Sequence, residues 1–151
     1  MSTEVKFVKN KKSEIPGFII ERTAKRMKQF YQKMLKEADT GITVDQWIIL
    51  QTINKDNGLS QYEIANQTFK DAPTVTRIID LLEGKKLIKR IADPSDRRKF
   101  NIHLTNKGEQ KIEEVLPIVL NFRKTGWKGI NLEDLNHMMR TLNAIFENLE
   151  E

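Results

Sequence analysis

Two short runs carry the side chains best suited to chemistry: Pro73, Thr74, Thr76 and Arg77 in one, and the consecutive Arg97, Arg98 and Lys99 in the other. Guanidinium groups present several donors in a rigid plane that suits phosphate oxygens or the O6 and N7 edge of guanine, and threonine hydroxyls reach phosphates or bases. Arg77 is the best candidate for reading a base, its competing role being that of a solvated helix residue paired with Asp80 or Glu83. Such a set is suited to a polyanion and does not suggest the turnover of a substrate. The enzymatic alternatives lack their parts, since there is no Gly-rich phosphate loop and no His-Glu-x-x-His pattern. Cysteine is absent, which removes disulfides, thiolate metal sites and thiol nucleophiles together. His103 and His137 stand too far apart to suggest a metal site, and Glu113-Glu114 cannot face one another at adjacent helix positions. We therefore assign no catalytic residue, metal or cofactor, and expect no enzyme.

The elements that must position these residues are legible from caps and periods. A helical series runs Ile20, Ala24, Met27, Tyr31, Met34, Leu35, Ala38 and stops at Asp39-Thr40-Gly41. Thr43 with Gln46 forms a capping box, with Ile42 and Trp47 as its hydrophobic staple, and predicts a helix from Val44 to about Asn54. After Asp56-Asn57-Gly58 the grammar repeats, with Ser60 and Glu63 as box, Leu59 and Ile64 as staple, and a short helix to about Thr68. Asp71 caps a third helix, to about Glu83, with Pro73 in its first turn where a missing N–H costs nothing.

That third helix divides into an apolar stripe, Val75, Ile78, Ile79 and Leu82, and an outward stripe, Pro73, Thr76, Arg77 and Asp80. Two short helices joined by a tight turn are the requirement for laying the second in a DNA major groove, with Ser60 at the start of the first as a further contact. Next the period changes to that of strands, Leu87 to Ala92 and the alternating Phe100 to Leu104, around a polar loop from Asp93 to Lys99. Asp96 is placed to orient an arginine through a carboxylate pair, and a tip carrying Arg97, Arg98 and Lys99 suits the negative potential of a minor groove. Thr105 caps a long helix with Ile112, Val115, Leu116, Val119, Leu120 and Phe122, interrupted at Gly126 or Gly129. Asn131 caps the last, whose stripe is Leu132, Leu135, Met139, Leu142, Phe146 and Leu149.

Composition sets the frame. The 151 residues are 38% hydrophobic and 31% charged, the balance of a folded, helix-rich chain and not a disordered one. No apolar run approaches the ~20 residues of a membrane span, and Met1 to Lys12 has no signal-peptide pattern, so a cytoplasmic protein is expected. The net charge of +5 is unevenly spread: residues 85–108 carry eight Lys/Arg against two Asp/Glu, whereas residues 38–84 carry three against seven. The surplus therefore falls on the predicted hairpin.

Thr74 to Glu83, Leu87-Ile88-Lys89-Arg90, Asp93 to Arg98 and Leu104-Thr105-Asn106-Lys107-Gly108 follow one another in the order and spacing of the MarR family of bacterial winged-helix regulators, which this sequence resembles over nearly its whole length. One departure is that members often place Gly immediately before the first wing strand, whereas Gly84 here precedes Lys85-Lys86-Leu87. The resemblance implies a mainly α fold with a small β-hairpin wing, a winged helix-turn-helix flanked by N- and C-terminal dimerisation helices. It implies that Pro73, Thr74, Thr76 and Arg77 face the groove and that Arg98, with Arg97 and Lys99 secondary, enters the minor groove. The partners implied are double-stranded DNA and a second copy, making a homodimer on a pseudo-palindromic operator. A small aromatic or anionic effector between the two regions is also implied, near which Phe30, Tyr31, Met34, Trp47 and Phe122 are apolar residues read first as core.

The expected organisation is one domain, residues 1–151, with the DNA-binding region at 42–105 and dimerisation helices at 15–38 and 106–151. The dimer stripe is Ile20, Leu132, Leu135, Met139, Leu142, Phe146 and Leu149. The competing class is a winged-helix protein-interaction module without DNA binding, against which the charges at Arg77 and Arg97-Arg98 weigh.

Overall fold

A computed structural model describes residues 15–150, and the reading of Met1 to Lys12 lies outside the described residues. The order is α1 (Pro16–Glu37), α2 (Val44–Lys55), β1 (Leu59–Ser60), α3 (Gln61–Thr68), α4 (Ala72–Gly84), β2 (Ile88–Ala92), β3 (Phe100–Leu104), α5 (Asn106–Gly126) and α6 (Leu132–Asn148). Two compact units divide the chain, one ending at Val119 and the other beginning at Leu120. No helix among the described residues is long and apolar enough to cross a membrane.

Both capping boxes form. Thr43 Oγ1 accepts the Gln46 backbone N–H while the Gln46 side chain accepts that of Thr43, and Ser60 and Glu63 do the same for α3. The staple residues Ile42, Trp47, Leu59 and Ile64 are all buried in the core of the first unit. Around them lie Leu35 from α1, Ile49, Leu50 and Ile53 from α2, Val75, Ile78, Ile79 and Leu82 from α4, and Ile112 and Val115 from α5.

The sheet corrects the two-stranded hairpin expected. Its order is β1-β3-β2, antiparallel throughout, with Leu59 opposite Ile102 and Ile88 opposite Leu104. A strand of two residues has no period to betray it. The first wing strand begins at Ile88 and not Leu87, because the Leu87 N–H closes the end of α4 on the Leu82 carbonyl at 3.0 Å. Of the alternating strand, Ile102 and Leu104 are buried, but Phe100 is 46% exposed where the hairpin outruns the core. In α5, Leu116 and Leu120 are exposed as well, so its apolar pattern is broader than its buried face.

The wing base is seated tightly. Thr105 donates its N–H to the Leu87 carbonyl at 3.1 Å and its hydroxyl to the Lys86 carbonyl at 2.6 Å, and accepts the Gly108 N–H at 3.0 Å. The exit from α4 turns on Lys86, whose φ of 62° takes up the left-handed position ahead of the wing, while Gly84 closes the helix in ordinary geometry. A non-glycine residue there costs roughly 1 kcal/mol, held by Leu87 being only 1% exposed.

In the second unit, Asn131 Oδ1 accepts the Asp134 N–H to cap α6, and Phe122 meets Trp127 edge-on at 6.3 Å. No residue of α6 is buried. Its expected stripe is largely exposed: Leu132 72%, Met139 51%, Leu142 37%, Phe146 46% and Leu149 76%, with Leu135 half-buried.

Candidate nucleic-acid interface

The helix-turn-helix is α3 and α4. Phe69, in the left-handed conformation at φ 55°, ends α3. Asp71 then opens α4 by accepting the Thr74 backbone N–H at 2.8 Å; that bond, followed by one from the Thr74 hydroxyl, holds the Asp71 carboxyl below the ordinary carboxylate range. Val75, Ile78, Ile79 and Leu82 are buried as the helical period requires, leaving Pro73, Thr76, Arg77 and Asp80 exposed on the other side, with Thr74 half-buried between.

Several polar atoms on this face are already engaged. Thr76 donates its hydroxyl to the Ala72 carbonyl at 3.0 Å and accepts from Gln61 Nε2 at 3.1 Å. Ser60 Oγ accepts at the α3 cap. The expected alternative, Arg77 paired with Asp80 or Glu83, is not what forms. Arg90, on β2, takes both carboxylates, its Nη2 on Asp80 and its Nη1 on Glu83 at 2.8 Å, and its Nε donates to Gln61 Oε1 at 3.3 Å. Burial of Arg90 works against its charge, and the two carboxylates outweigh that effect, so its proton is held more firmly than usual. One side chain therefore ties the wing to both helices of the motif. Sequence reasoning gave Arg90 no role, and no local spacing reveals one, because its partners come from α3 and α4.

In the loop, Asp93 accepts the Ser95 hydroxyl at 2.6 Å and backbone N–H at 2.8 Å, which hold its carboxyl below the ordinary range. Asp96 Oδ1 accepts the Arg98 backbone N–H at 3.0 Å. It thus shapes the turn through the main chain, a correction to the guanidinium pair expected of it. Arg97, Arg98 and Lys99 are exposed at the tip. Ser60, Gln61, Tyr62, Arg98, Lys99 and Phe100 belong to an open cleft of about 480 Å³ between α3 and the wing, which brings Ser60 and the tip cations into one place. Behind the motif, Asp45 receives Lys70 at 2.8 Å and Lys28 at 3.1 Å. Burial alone would raise its pKa; the hydrogen bonds and charges of Lys70 and Lys28 prevail and lower it.

An exposed arginine-bearing helix, braced against an arginine-tipped hairpin, is the arrangement of a winged helix-turn-helix. The MarR family model matches residues 42–100, which span this assembly. The chain belongs to the MarR family of winged helix-turn-helix transcription regulators. It is 25% identical over 140 residues to the HTH-type transcriptional repressor IacR of Pseudomonas putida, covering 93% of this chain and 83% of IacR. S. aureus MepR, solved as a complex with DNA, is 28% identical with a TM-score of 0.80, over 89% of this chain and 98% of that one. Bordetella bronchiseptica BpsR, whose DNA binding is regulated by 6-hydroxynicotinic acid, is 25% identical with a TM-score of 0.82, over 90% and 96%. Members of this family are regulators and not enzymes. Among the described residues no three His, Cys, Asp or Glu side chains gather to hold a metal.

Proposed function

We propose that this MarR-family chain acts as a homodimer on a pseudo-palindromic operator, each α4 lying in a major groove and each wing tip entering the adjacent minor groove. The carrying observation is the exposure of Arg77, Arg97, Arg98 and Lys99 on two elements that Arg90 holds in fixed relation. In this reading Pro73, Thr74, Thr76 and Arg77 are groove-facing, Arg77 bonds a guanine edge, and Ser60 and Asp96 position the backbone around the contacts. Residues 42–105 form the DNA-binding region, and the helices at 15–38 and 106–151 the dimerisation region, of one domain over residues 1–151.

Dimerisation is supported by the exposed apolar side chains on α1, among them Ile20 at 42%, and on α6. Two copies would set recognition helices about one DNA turn apart, ~34 Å. By analogy with BpsR, we propose that a small aromatic or anionic molecule modulates binding.

Fluorescence anisotropy tests the reading. The full chain is titrated into a labelled duplex selected from a random pool, at several salt concentrations. Arg77→Ala is expected to weaken specific binding by about 1 to 3 kcal/mol and relax discrimination at one base pair. Arg98→Ala should weaken binding to all sequences and flatten the salt dependence. Absence of duplex binding at low ionic strength would overturn the proposal in favour of a protein-interaction module.

A further inference from the structure

Ala72, Pro73, Thr76, Arg77, Asp80 and Leu81 share one side of α4 and line an open groove of about 690 Å³. Its chemistry is narrower than its composition suggests. The Thr76 hydroxyl has given its only proton to the Ala72 carbonyl and accepts from Gln61, so it has no donor left for a base, and its methyl group is what Thr76 can offer an apolar partner. Asp80 is held by Arg90. At the head of the helix the Asp71 carboxylate is occupied by Thr74. The donor group left in this groove is the guanidinium of Arg77, set among the Ala72 methyl, the Pro73 ring, the Thr76 methyl and Leu81, itself 45% exposed.

A face with one fork of donors and several apolar groups cannot read a run of guanines or adenines, each of which needs its own polar partner. In the major groove the one apolar group a base displays is the thymine C5 methyl. We propose that each α4 reads a half-site in which a single guanine, held by Arg77, is bracketed by thymines recognised through their methyl groups by Ala72, Pro73 and the Thr76 methyl. This rests on the DNA-binding reading above and adds the base content of the site.

The experiment begins by selecting duplexes with the full chain from a pool with a randomised 20-base-pair centre. The selected site is then remade with deoxyuridine in place of one thymine at a time, which deletes only the methyl, and with 7-deazaguanine in place of one guanine at a time. Each contacted thymine is expected to lose about fourfold in affinity as deoxyuridine, the worth of one buried methyl group. Thr76→Ser keeps the hydroxyl and its bonds but lacks the methyl, so it should bind thymine and deoxyuridine equally at one position while remaining sensitive at the others. Arg77→Ala should lose sensitivity to 7-deazaguanine at one position. A selected site bound equally tightly with deoxyuridine at every thymine overturns this inference and leaves DNA binding standing. Failure to bind any member of the pool, even at low salt, overturns both.

Discussion

Gly108→Ala tests how the wing is seated. In the interior of a helix this change normally stabilises by about 1 kcal/mol. Here an added Cβ would stand 2.1 Å from the Leu87 carbonyl oxygen, 3.1 Å from the carbon and 3.2 Å from Leu104 Cδ2. Relieving the first contact requires a shift of about 1 Å between the start of α5 and the wing base. Neither side yields cheaply. Leu87 is buried, its N–H is bound to Leu82 and its carbonyl to Thr105, and the Thr105 hydroxyl is bound to the neighbouring Lys86 carbonyl. Overpacking of this kind costs about 1 to 3 kcal/mol, and loss of the Thr105 bond about 1 more. With the propensity gain subtracted, the variant should be less stable by roughly 1 to 3 kcal/mol, a drop in Tm of about 2 to 12 °C. Urea unfolding followed by circular dichroism, at fixed protein concentration, measures it. Gly84→Ala is the control, because nothing lies within 4 Å of its added Cβ and its φ is ordinary, so it should be neutral or slightly stabilising. If Gly108→Ala proved as stable as the parent, the close approach of α5 to the wing base would be refuted.

Three further outcomes are expected. Arg90→Met should cost about 1 to 2 kcal/mol, since its partners are largely solvated, yet weaken duplex binding more than its own charge explains; Arg90→Lys should restore little, because a point charge cannot serve Asp80, Glu83 and Gln61 together. A stable Arg90→Lys protein with parental duplex affinity would remove the bracing role. Asp45 has a lowered folded pKa, so its contribution is present above the unfolded value near 4 and lost as pH falls through the folded one. Urea midpoints of Asp45→Asn and the parent should accordingly differ at neutral pH and converge in acid, and a constant difference would contradict the Lys70 and Lys28 pairing. Leu142→Glu places a charge on the exposed α6 stripe and should yield monomers in sedimentation with loss of operator binding; an intact dimer would exclude that stripe from the interface.

The parts of this fold legible in the sequence are those fixed within three or four residues. Both capping boxes, the Asp71 cap and the division of α4 into a buried and an exposed stripe follow from local spacing, and the structure shows each of them. What could not be read depends on where distant elements meet. β1 exists only because Leu59 falls opposite Ile102, and Arg90 finds Asp80, Glu83 and Gln61 only once β2 has folded back over the motif. The same holds for Lys111, on α5, reaching the Thr40 carbonyl at 2.8 Å. For the candidate interface, sequence foretold the exposure of Pro73, Thr76, Arg77, Arg97, Arg98 and Lys99, but not that Ser60, Thr74 and Asp96 would be half-buried nor which polar atoms would already be engaged, and that last fact decides what Thr76 and Asp96 can touch.

The same distinction resolves a conflict in the charge pattern. Residues 38–84 contain the helix-turn-helix, yet carry seven acidic residues against three basic ones, a balance that would repel a phosphate backbone. Five of the seven have a carboxylate oxygen already engaged by the chain itself. Glu63 and Asp71 accept backbone N–H groups at helix starts, where the helix dipole also favours them, and Asp45, Asp80 and Glu83 are paired with Lys28, Lys70 and Arg90. Asp45, Asp80 and Glu83 meet three cations between them, and charges paired within a few ångströms contribute little field at the distance of a docking duplex, since the screening length in physiological salt is about 8 Å. Arg77, Arg97, Arg98 and Lys99 stand exposed at the candidate face. Removing Arg90 would therefore do more than loosen the wing: it would free two carboxylates beside the groove-facing helix, and both effects push affinity for DNA in the same direction.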